Sequence, residues 1–356
     1  MSTKKEDIIV GSNETQKRIF KAIFNRPLTR PELSIMVNVK EKTVANNLPI
    51  LEREVNNVDS ELAFVRYFND KNQPLYLVSK RPVQELKLKP KLFNMVLARK
   101  RPYAIINLPS PPTDSMWKLY ALSCLHYGAS TCNYKMLGKF IDSLAKEENA
   151  LIVLLGDLME NATRDSIGDG VYRQVIPPHE QKTGVAKLLS KVAHKILYIH
   201  RGNHSARSVK AVDQDPERDI ADLLQVPYFI GPAYIDLVCQ NHLWTMCSFH
   251  GKSSSNTIGG RINATQKRSL WHSAMINLVG HYHDTQVVKD IEVVKDRENL
   301  TLEYMKRYYV LAGSFMEYWN SYAEEASYPP LDIGIPKVLL YCDGSSKPGD
   351  YWATDN

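Results

Sequence analysis

The sequence predicts a two-part protein whose larger part is of the α/β class, and three observations carry that reading. Short apolar runs downstream of residue 117 repeatedly end in residues that bind metals. The charge is split: residues 1–101 carry 20 Lys+Arg against 11 Asp+Glu, a net +9, whereas residues 102–356 carry 25 against 28, a net −3. The first 80 residues show helical spacing and then two apolar runs around a polar turn, and a Lys-, Arg- and Pro-rich stretch follows them.

Length and composition set the frame. At 356 residues the chain has room for two to three domains. With 44% hydrophobic residues, 24% charged residues and a mean hydropathy of −0.33, its composition is that of an ordinary globular protein rather than a disordered or fibrous one. No apolar run reaches the roughly 18 residues a membrane-spanning helix needs, and MSTKKEDIIVGSNETQ lacks an apolar signal core. A cytoplasmic protein with no membrane partner is expected. Five cysteines, odd in number and without CxxC spacing, suit a reducing compartment and argue against a disulfide framework or a zinc knuckle.

In the N-terminal part, Ile19, Phe20, Ile23 and Phe24 fall at helical spacing, and Asn25 to Pro27 end that helix. Thr29 precedes Arg30-Pro31-Glu32, which places proline early and Glu32 at the capping-box position of a short helix ending near Asn38. KEKTVANNLPILEREV predicts a third helix with Val44, Leu48, Leu51 and Val55 on one face, and Pro49 is a point where it could kink. AFVRYF and PLYLVS then read as a hairpin. In pattern, residues 14–80 resemble a winged helix-turn-helix domain. That resemblance implies DNA as the partner, with Lys42, Thr43, Asn46 and Asn47 facing a groove and Arg66 and Lys71 meeting phosphates; such modules also serve as protein-docking platforms. Residues 81–116 read as a basic, proline-containing linker, and residues 117–345 as the larger domain.

In the larger domain KLYALSCLHYG ends in Cys124 and His126, ALIVLLGDLMEN in Asp157, KILYIHRGNHS in Asn203 and His204, LWTMCSFHG in His250, and INLVGHYHD in His281 and His283. The apolar runs predict buried strands, and the ends of strands are where open α/β sheets gather ligands. Imidazole nitrogens around carboxylate and amide oxygens suit a pair of divalent first-row cations. His179, His194, His200, His242 and His272 lie outside this ordered series and read as packed or surface histidines.

The series C-x-H, G-D, G-N-H, H-G, G-H-x-H resembles the calcineurin-like metallophosphoesterases over residues 117 to about 343. GDLMENATRDSIGDGVY, IPPHEQ and GSFMEYWNSYAEEASYPPLDIGIPKVLL resemble a bacterial and phage branch of that family. The resemblance implies a four-layer α/β sandwich, preceded here by the small winged-helix domain, and a dinuclear centre, with manganese the expected metal. Asp157 would bridge the ions, His126 and His283 would hold the first, and Asn203, His250 and His281 the second. His204 would be the catalytic residue, giving a proton to the leaving oxygen or steadying phosphoryl charge, while a metal-bound hydroxide attacks phosphorus.

Two positions depart from the family pattern. Cys124 stands where Asp is usual: as a thiolate it would bind zinc or iron at the first site, and as a neutral thiol it would leave that ion weakly held. Ser205 stands where an acid commonly supports the histidine before it. Asn161, Arg207, Lys252 and Arg261 follow ligand positions and are candidates for phosphate contact; Glu317, Tyr318 and Tyr322 are candidates for the mouth of the site. The expected function is a metal-dependent phosphoesterase, foremost a DNA-directed phosphodiesterase or nuclease. The alternatives are a phosphatase or phosphodiesterase of small phosphorylated compounds, and a DNA-binding protein with impaired catalysis. The sequence carries no signal for oligomeric state.

Overall fold

A computed structural model of the chain describes residues 11–23, 28–58, 62–68, 74–80, 88–98, 101–164, 166, 170–240, 242–252, 255, 257–269, 274–296, 300–325, 327, 329–330, 333–342 and 346–348. The chain divides into two compact units, Met1–Glu85 and Leu86–Asn356.

In the first unit, helices Glu14–Ile23, Arg30–Met36 and Glu41–Val58 precede the antiparallel strands Leu62–Phe68 and Pro74–Lys80. A two-residue strand, Leu28–Thr29, adds to the outer edge of Pro74–Lys80 and is too short to read from periodicity. Ile19, Ile23, Leu33, Val44, Leu48, Leu51 and Val55 form the core, so the apolar stripe of the third helix faces inward as its spacing predicts. Pro49 sits inside that helix. The capping box forms: Thr29 N donates to Glu32 Oε2 at 2.7 Å while Glu32 N donates to Thr29 Oγ1 at 3.5 Å. Lys42 and Asn46 are exposed, and Thr43 and Asn47 half-buried. Arg66 lies in the Leu62–Phe68 strand, with its side chain outside the described residues, as is Lys71 altogether.

The second unit is built on two sheets. In the first sheet the strands run in the order Ser346–Pro348, Lys337–Tyr341, Met116–Leu122, Ala150–Leu154, Ile196–His200, Tyr228–Phe229. In the second they run Gln286–Asp296, Thr301–Leu311, Ile276–Val279, His242–Phe249, Ala233–Cys239, Tyr103–Leu108, Asn94–Leu97. Alternation along each strand divides the side chains between two cores. Trp117, Leu119, Leu151, Val153 and Tyr198 meet Trp244, Met246, Ile276 and Val310 between the sheets. Tyr120, Leu122, Ile152 and Leu154 instead meet Phe140, Val185, Leu189 and Ile220 of helices Tyr134–Lys146, Pro178–Ser190 and Pro216–Leu223. On the far side, Cys247, Phe249, Val279 and Leu311 pack with Ile262 and Ala264 of helix Ile258–Ser269. The layers therefore run helix, sheet, sheet, helix, which fits the mixed α/β, two-sheet architecture expected for the larger part. Among the described residues no helix is long and apolar enough to cross a membrane.

The stretch read as a linker over 81–116 departs from expectation. Tyr103–Leu108 pairs in parallel with Ala233–Cys239, and Asn94–Leu97 extends the same sheet, so the second unit begins well before residue 117. Pro102 and Pro109 flank the longer strand instead of interrupting it, which is where a sheet tolerates proline. Lys91 also turns inward, donating from Nζ to the Ala193 carbonyl at 2.6 Å; burial lowers its pKa to about 8. The charge partition shifts accordingly. Residues 1–85 carry 14 Lys+Arg and 11 Asp+Glu, a net +3, and six cations of the expected basic excess, Lys87, Lys89, Lys91, Arg99, Lys100 and Arg101, belong to the second unit.

Candidate metal centre

The strand pairing continues past the strands into the loops that carry the donors. Beyond Met116–Leu122 and Ala150–Leu154, Cys124 N donates to Gly156 O at 3.0 Å and His126 N to Asp157 O at 3.1 Å, and Tyr127 bridges to Met159. Cys124, His126, Asp157, His281 and His283 all take left-handed backbone, with φ of 51°, 46°, 53°, 73° and 54°. Few residues other than glycine adopt it, Asp and His more readily than cysteine, and a run of such conformations clusters at functional sites. Glycines make the close approach possible. A Cβ on Gly202 would lie 2.1 Å from Asp157 Oδ1, and one on Gly156 2.6 Å from Gly202 N, so neither the G-D nor the G-N-H motif accepts a side chain there.

Three overlapping clusters result, each with its donor atoms within 4.8 Å of one another: Cys124, His126 and His283; His126, Asp157 and His204; Asp157, His250 and His281. Asn203 joins through its amide oxygen, 2.8 Å from His250 Nε2. Every residue expected from sequence to hold metal thus arrives at one place.

Hydrogen bonds orient the donors. His126 Nδ1 donates to Glu160 Oε2 at 2.8 Å, which turns Nε2 toward His283 Nε2, 3.1 Å away. His250 Nδ1 donates to Leu155 O at 2.6 Å, leaving Nε2 to face two acceptors, Asn203 Oδ1 and, at 3.1 Å, Asp157 Oδ2. Three lone pairs converging on one point suit a cation or, without it, a proton. Burial lowers the His250 pKa, but the Asp157 charge, its hydrogen bond and the Leu155 carbonyl outweigh that and raise it. Asp157 mirrors this: burial pushes its carboxyl up, yet the imidazoles of His250, His204 and His126 hold it well below its ordinary value. The donor set, nitrogens and oxygens with one sulfur, fits first-row divalent cations.

Cys124 is fully buried, its Sγ 3.2 Å from Ser123 Oγ. Burial and the Asp157 charge push its thiol pKa far up, so without a metal it is a neutral thiol. His204 N donates to Asp157 Oδ1 at 2.9 Å from the first turn of helix Asn203–Val212. Its Nδ1 donates to the Glu160 carbonyl at 2.6 Å, and Nε2 accepts from Arg207 Nη2 at 3.2 Å.

Sequence reasoning left two residues unassigned. Glu160 supports His126 with its carboxylate and His204 with its carbonyl; its place three residues after Asp157 in GDLMEN was the available signal. Glu217 is fully buried and accepts from Leu158 N at 2.8 Å and Gly202 N at 2.6 Å, tying together the loops that carry Asp157 and Asn203. Burial and the Asp157 charge raise its pKa to about 7. Nothing local in the sequence marks it.

Of the other candidates, Arg261 and Asn161 are engaged within the fold, and Lys252 is exposed. Arg261 is buried and paired with Asp284 at 2.9 Å. Asn161 donates to the His204 carbonyl and to Ser208 Oγ, each at 2.8 Å, and so braces the helix. Lys252 accepts from Arg268 through its carbonyl. Glu317 accepts from Asn133 Nδ2 at 2.9 Å, and the Tyr322 side chain lies outside the described residues.

No family model and no curated protein matches the chain. Solved structures do. The chain is similar to a conserved uncharacterized protein of Streptococcus pneumoniae TIGR4, a predicted phosphoesterase, at 12% identity over 67% of this chain and 99% of that one, with a TM-score of 0.29. It is similar to Vacuolar Protein Sorting 29 of Cryptosporidium parvum at 13% identity, over 68% and 100%, with a TM-score of 0.32. It is also similar to the nuclease MPE of Pseudomonas putida at 11% identity, over 80% and 100%, with a TM-score of 0.29.

The buried imidazoles carry a pH dependence. Burial lowers the pKa of His200 to about 3 and of His204 and His281 to about 4, and that of His283 well below its ordinary value. In the unfolded chain these groups titrate near 6.5. The unfolded state therefore binds more protons, and the stability of the metal-free protein is fully present above about pH 6.5 and is lost as pH falls toward 4. His250, shifted the other way, offsets part of this. Urea unfolding in chelator is expected to show a lower midpoint at pH 5 than at pH 7.5; an unchanged midpoint would contradict neutral burial.

Proposed function

We propose that the chain is a metal-dependent phosphoesterase with a dinuclear centre, directed to DNA by its N-terminal unit, and acting as a phosphodiesterase or nuclease. One observation carries the reading: donor side chains from five strand ends converge, with Asp157 shared between two clusters. His126 and His283, with Cys124, would hold one cation, Asn203, His250 and His281 the other, and Asp157 would lie between them. When bound, the two cations would supply Lewis acidity toward phosphoryl oxygens and acidify the attacking water, with manganese the expected occupant and zinc or iron suited to a site with a thiolate.

The chain's own residues set the rest. A carbonyl only accepts, so His204 keeps its hydrogen on Nδ1, and burial, which lowers its pKa to about 4, leaves Nε2 unprotonated to accept from Arg207 in the resting state. Giving a proton to a leaving oxygen then requires prior protonation at Nε2, beside the Arg207 guanidinium that would offset charge on a phosphoryl group. The decisive experiment assays the full chain with Mn, Zn, Fe, Ni or Mg on single- and double-stranded DNA, RNA and an aryl phosphodiester. Hydrolysis of DNA supports the proposal; turnover of the aryl ester alone favours a small substrate, and no turnover with any metal overturns the enzyme reading.

The Cys124 position has its own test. If its sulfur ligates, Cys124→Asp moves metal preference toward Mn and Cys124→Ala loses one equivalent of metal. Equal metal stoichiometry and rate in wild type and Cys124→Ala would remove Cys124 from the ligand set.

Direction to DNA rests on the order of three helices and two paired antiparallel strands in the first unit and on the helix residues Lys42, Thr43, Asn46 and Asn47, with Arg66 in the Leu62–Phe68 strand and Lys71 between the two strands in sequence. With a net charge of only +3 in that unit, few phosphates are neutralised. Duplex binding by the full chain in chelator is expected to weaken with salt at a shallow slope, about −0.9 per phosphate contact. Absence of binding at low salt would leave the small-substrate reading in place.

A further inference from the structure

The pole of the second unit opposite the metal cluster holds a pair of cysteines. Cys239 ends the strand Ala233–Cys239 in one sheet, and Cys342 directly follows Lys337–Tyr341 in the other. Their sulfurs lie 2.8 Å apart although both thiols are free. A disulfide bond of about 2.05 Å needs the sulfurs to close by less than an ångström. Cys239 is opposite His242, the start of the strand whose other end leads to His250. Cys342 N donates to Ser115 O, just before the strand that leads to Cys124. At roughly 3.3 Å per residue, the length of these strands separates the pair from the donors by about 20 Å.

We propose that Cys239 and Cys342 are a modification site: a thiol pair that hydroperoxides convert to a disulfide joining the two sheets. Cys239 is buried, and Cys342 is half-buried and so reachable by a small oxidant. The Cys342 thiolate attacks one oxygen of the hydroperoxide. A sulfur–oxygen bond forms, the oxygen–oxygen bond breaks, and the departing oxyanion takes up a proton as water or an alcohol. The sulfur of Cys239 then attacks that of Cys342. The disulfide forms, the sulfur–oxygen bond breaks, and hydroxide leaves with the Cys239 proton as water. Two thiols lose two electrons in all, and the hydroperoxide gains them. Burial pushes the Cys239 thiol up to about 12, so little of it is thiolate and the second, resolving step is the slow one. The bond would close a loop spanning 103 residues and constrain the unfolded chain accordingly.

The full-length protein treated with hydrogen peroxide is expected to yield a tryptic peptide pair crosslinked at Cys239 and Cys342, and titratable thiols in denaturant should fall from five to three. Dithiothreitol should restore them. The oxidised wild type should melt above the reduced form, a shift absent in Cys342→Ser, whose half-exposed position makes it the safer variant to fold. Metal-dependent hydrolysis should be the same in both forms. Absence of the crosslinked pair at saturating oxidant, accumulation of a sulfinic acid at Cys342, or an unchanged melting temperature on crosslinking would each overturn the proposal.

Discussion

Replacing Asp157 by Asn is expected to abolish metal occupancy and hydrolysis together. The carboxylate belongs to two of the three donor clusters, and its Oδ2 lies 3.1 Å from His250 Nε2 and 3.9 Å from His204 Nε2. An amide keeps the oxygen that accepts from His204 N, so the loop has reason to stay in place, but it removes the charge that would be set against two cations. Losing an outer-shell partner of a metal ligand typically costs about 10–100-fold in affinity, and the loss of a shared ligand should exceed that. Elemental analysis after gel filtration, alongside an unfolding curve to show retained structure, checks it. Full metal content in the variant would refute the assignment of Asp157 between the ions.

The second large effect is expected at Glu217. Its two oxygens satisfy Leu158 N and Gly202 N inside the protein, and Leu in its place leaves both donors without a partner. Each unsatisfied buried donor costs about 1–3 kcal/mol, partly offset because a carboxyl that is expensive to bury is removed as well. A net loss of about 2–4 kcal/mol follows, with Glu217→Gln intermediate because the amide keeps one acceptor and turns an N–H toward the other donor. Urea unfolding in chelator measures this without contribution from metal. A Leu variant within about 0.5 kcal/mol of wild type would show that water or a backbone shift replaces the carboxyl.

What the sequence revealed and what it hid divide along the range of the interactions involved. The capping box of Thr29 and Glu32 spans three residues and is legible because its chemistry is local. The donor series is legible for another reason: buried strands write themselves as apolar runs, and the polar residues that end them stand out, as in ALIVLLGD and INLVGHYH. The strand Tyr103–Leu108 is hidden because its partner, Ala233–Cys239, lies about 130 residues away and because its prolines and cations resemble those of a tether. Glu160 and Glu217 share this property. Their roles are defined by His126, His204, Leu158 and Gly202, and only the folded chain brings these within reach.

The frame around the donors also bears on how such a centre changes over generations. The loops are held by main-chain bonds from Cys124 to Gly156 and from His126 to Asp157, and by glycines that admit no substitute, none of which depends on what the side chain at position 124 is made of. A donor there would be an interchangeable fitting on a fixed mount. If Cys124 ligates as proposed, trading oxygen for sulfur at that point would alter which element is preferred without any of these main-chain bonds having to change, so a lineage moving between surroundings rich in different metals could adapt by one codon.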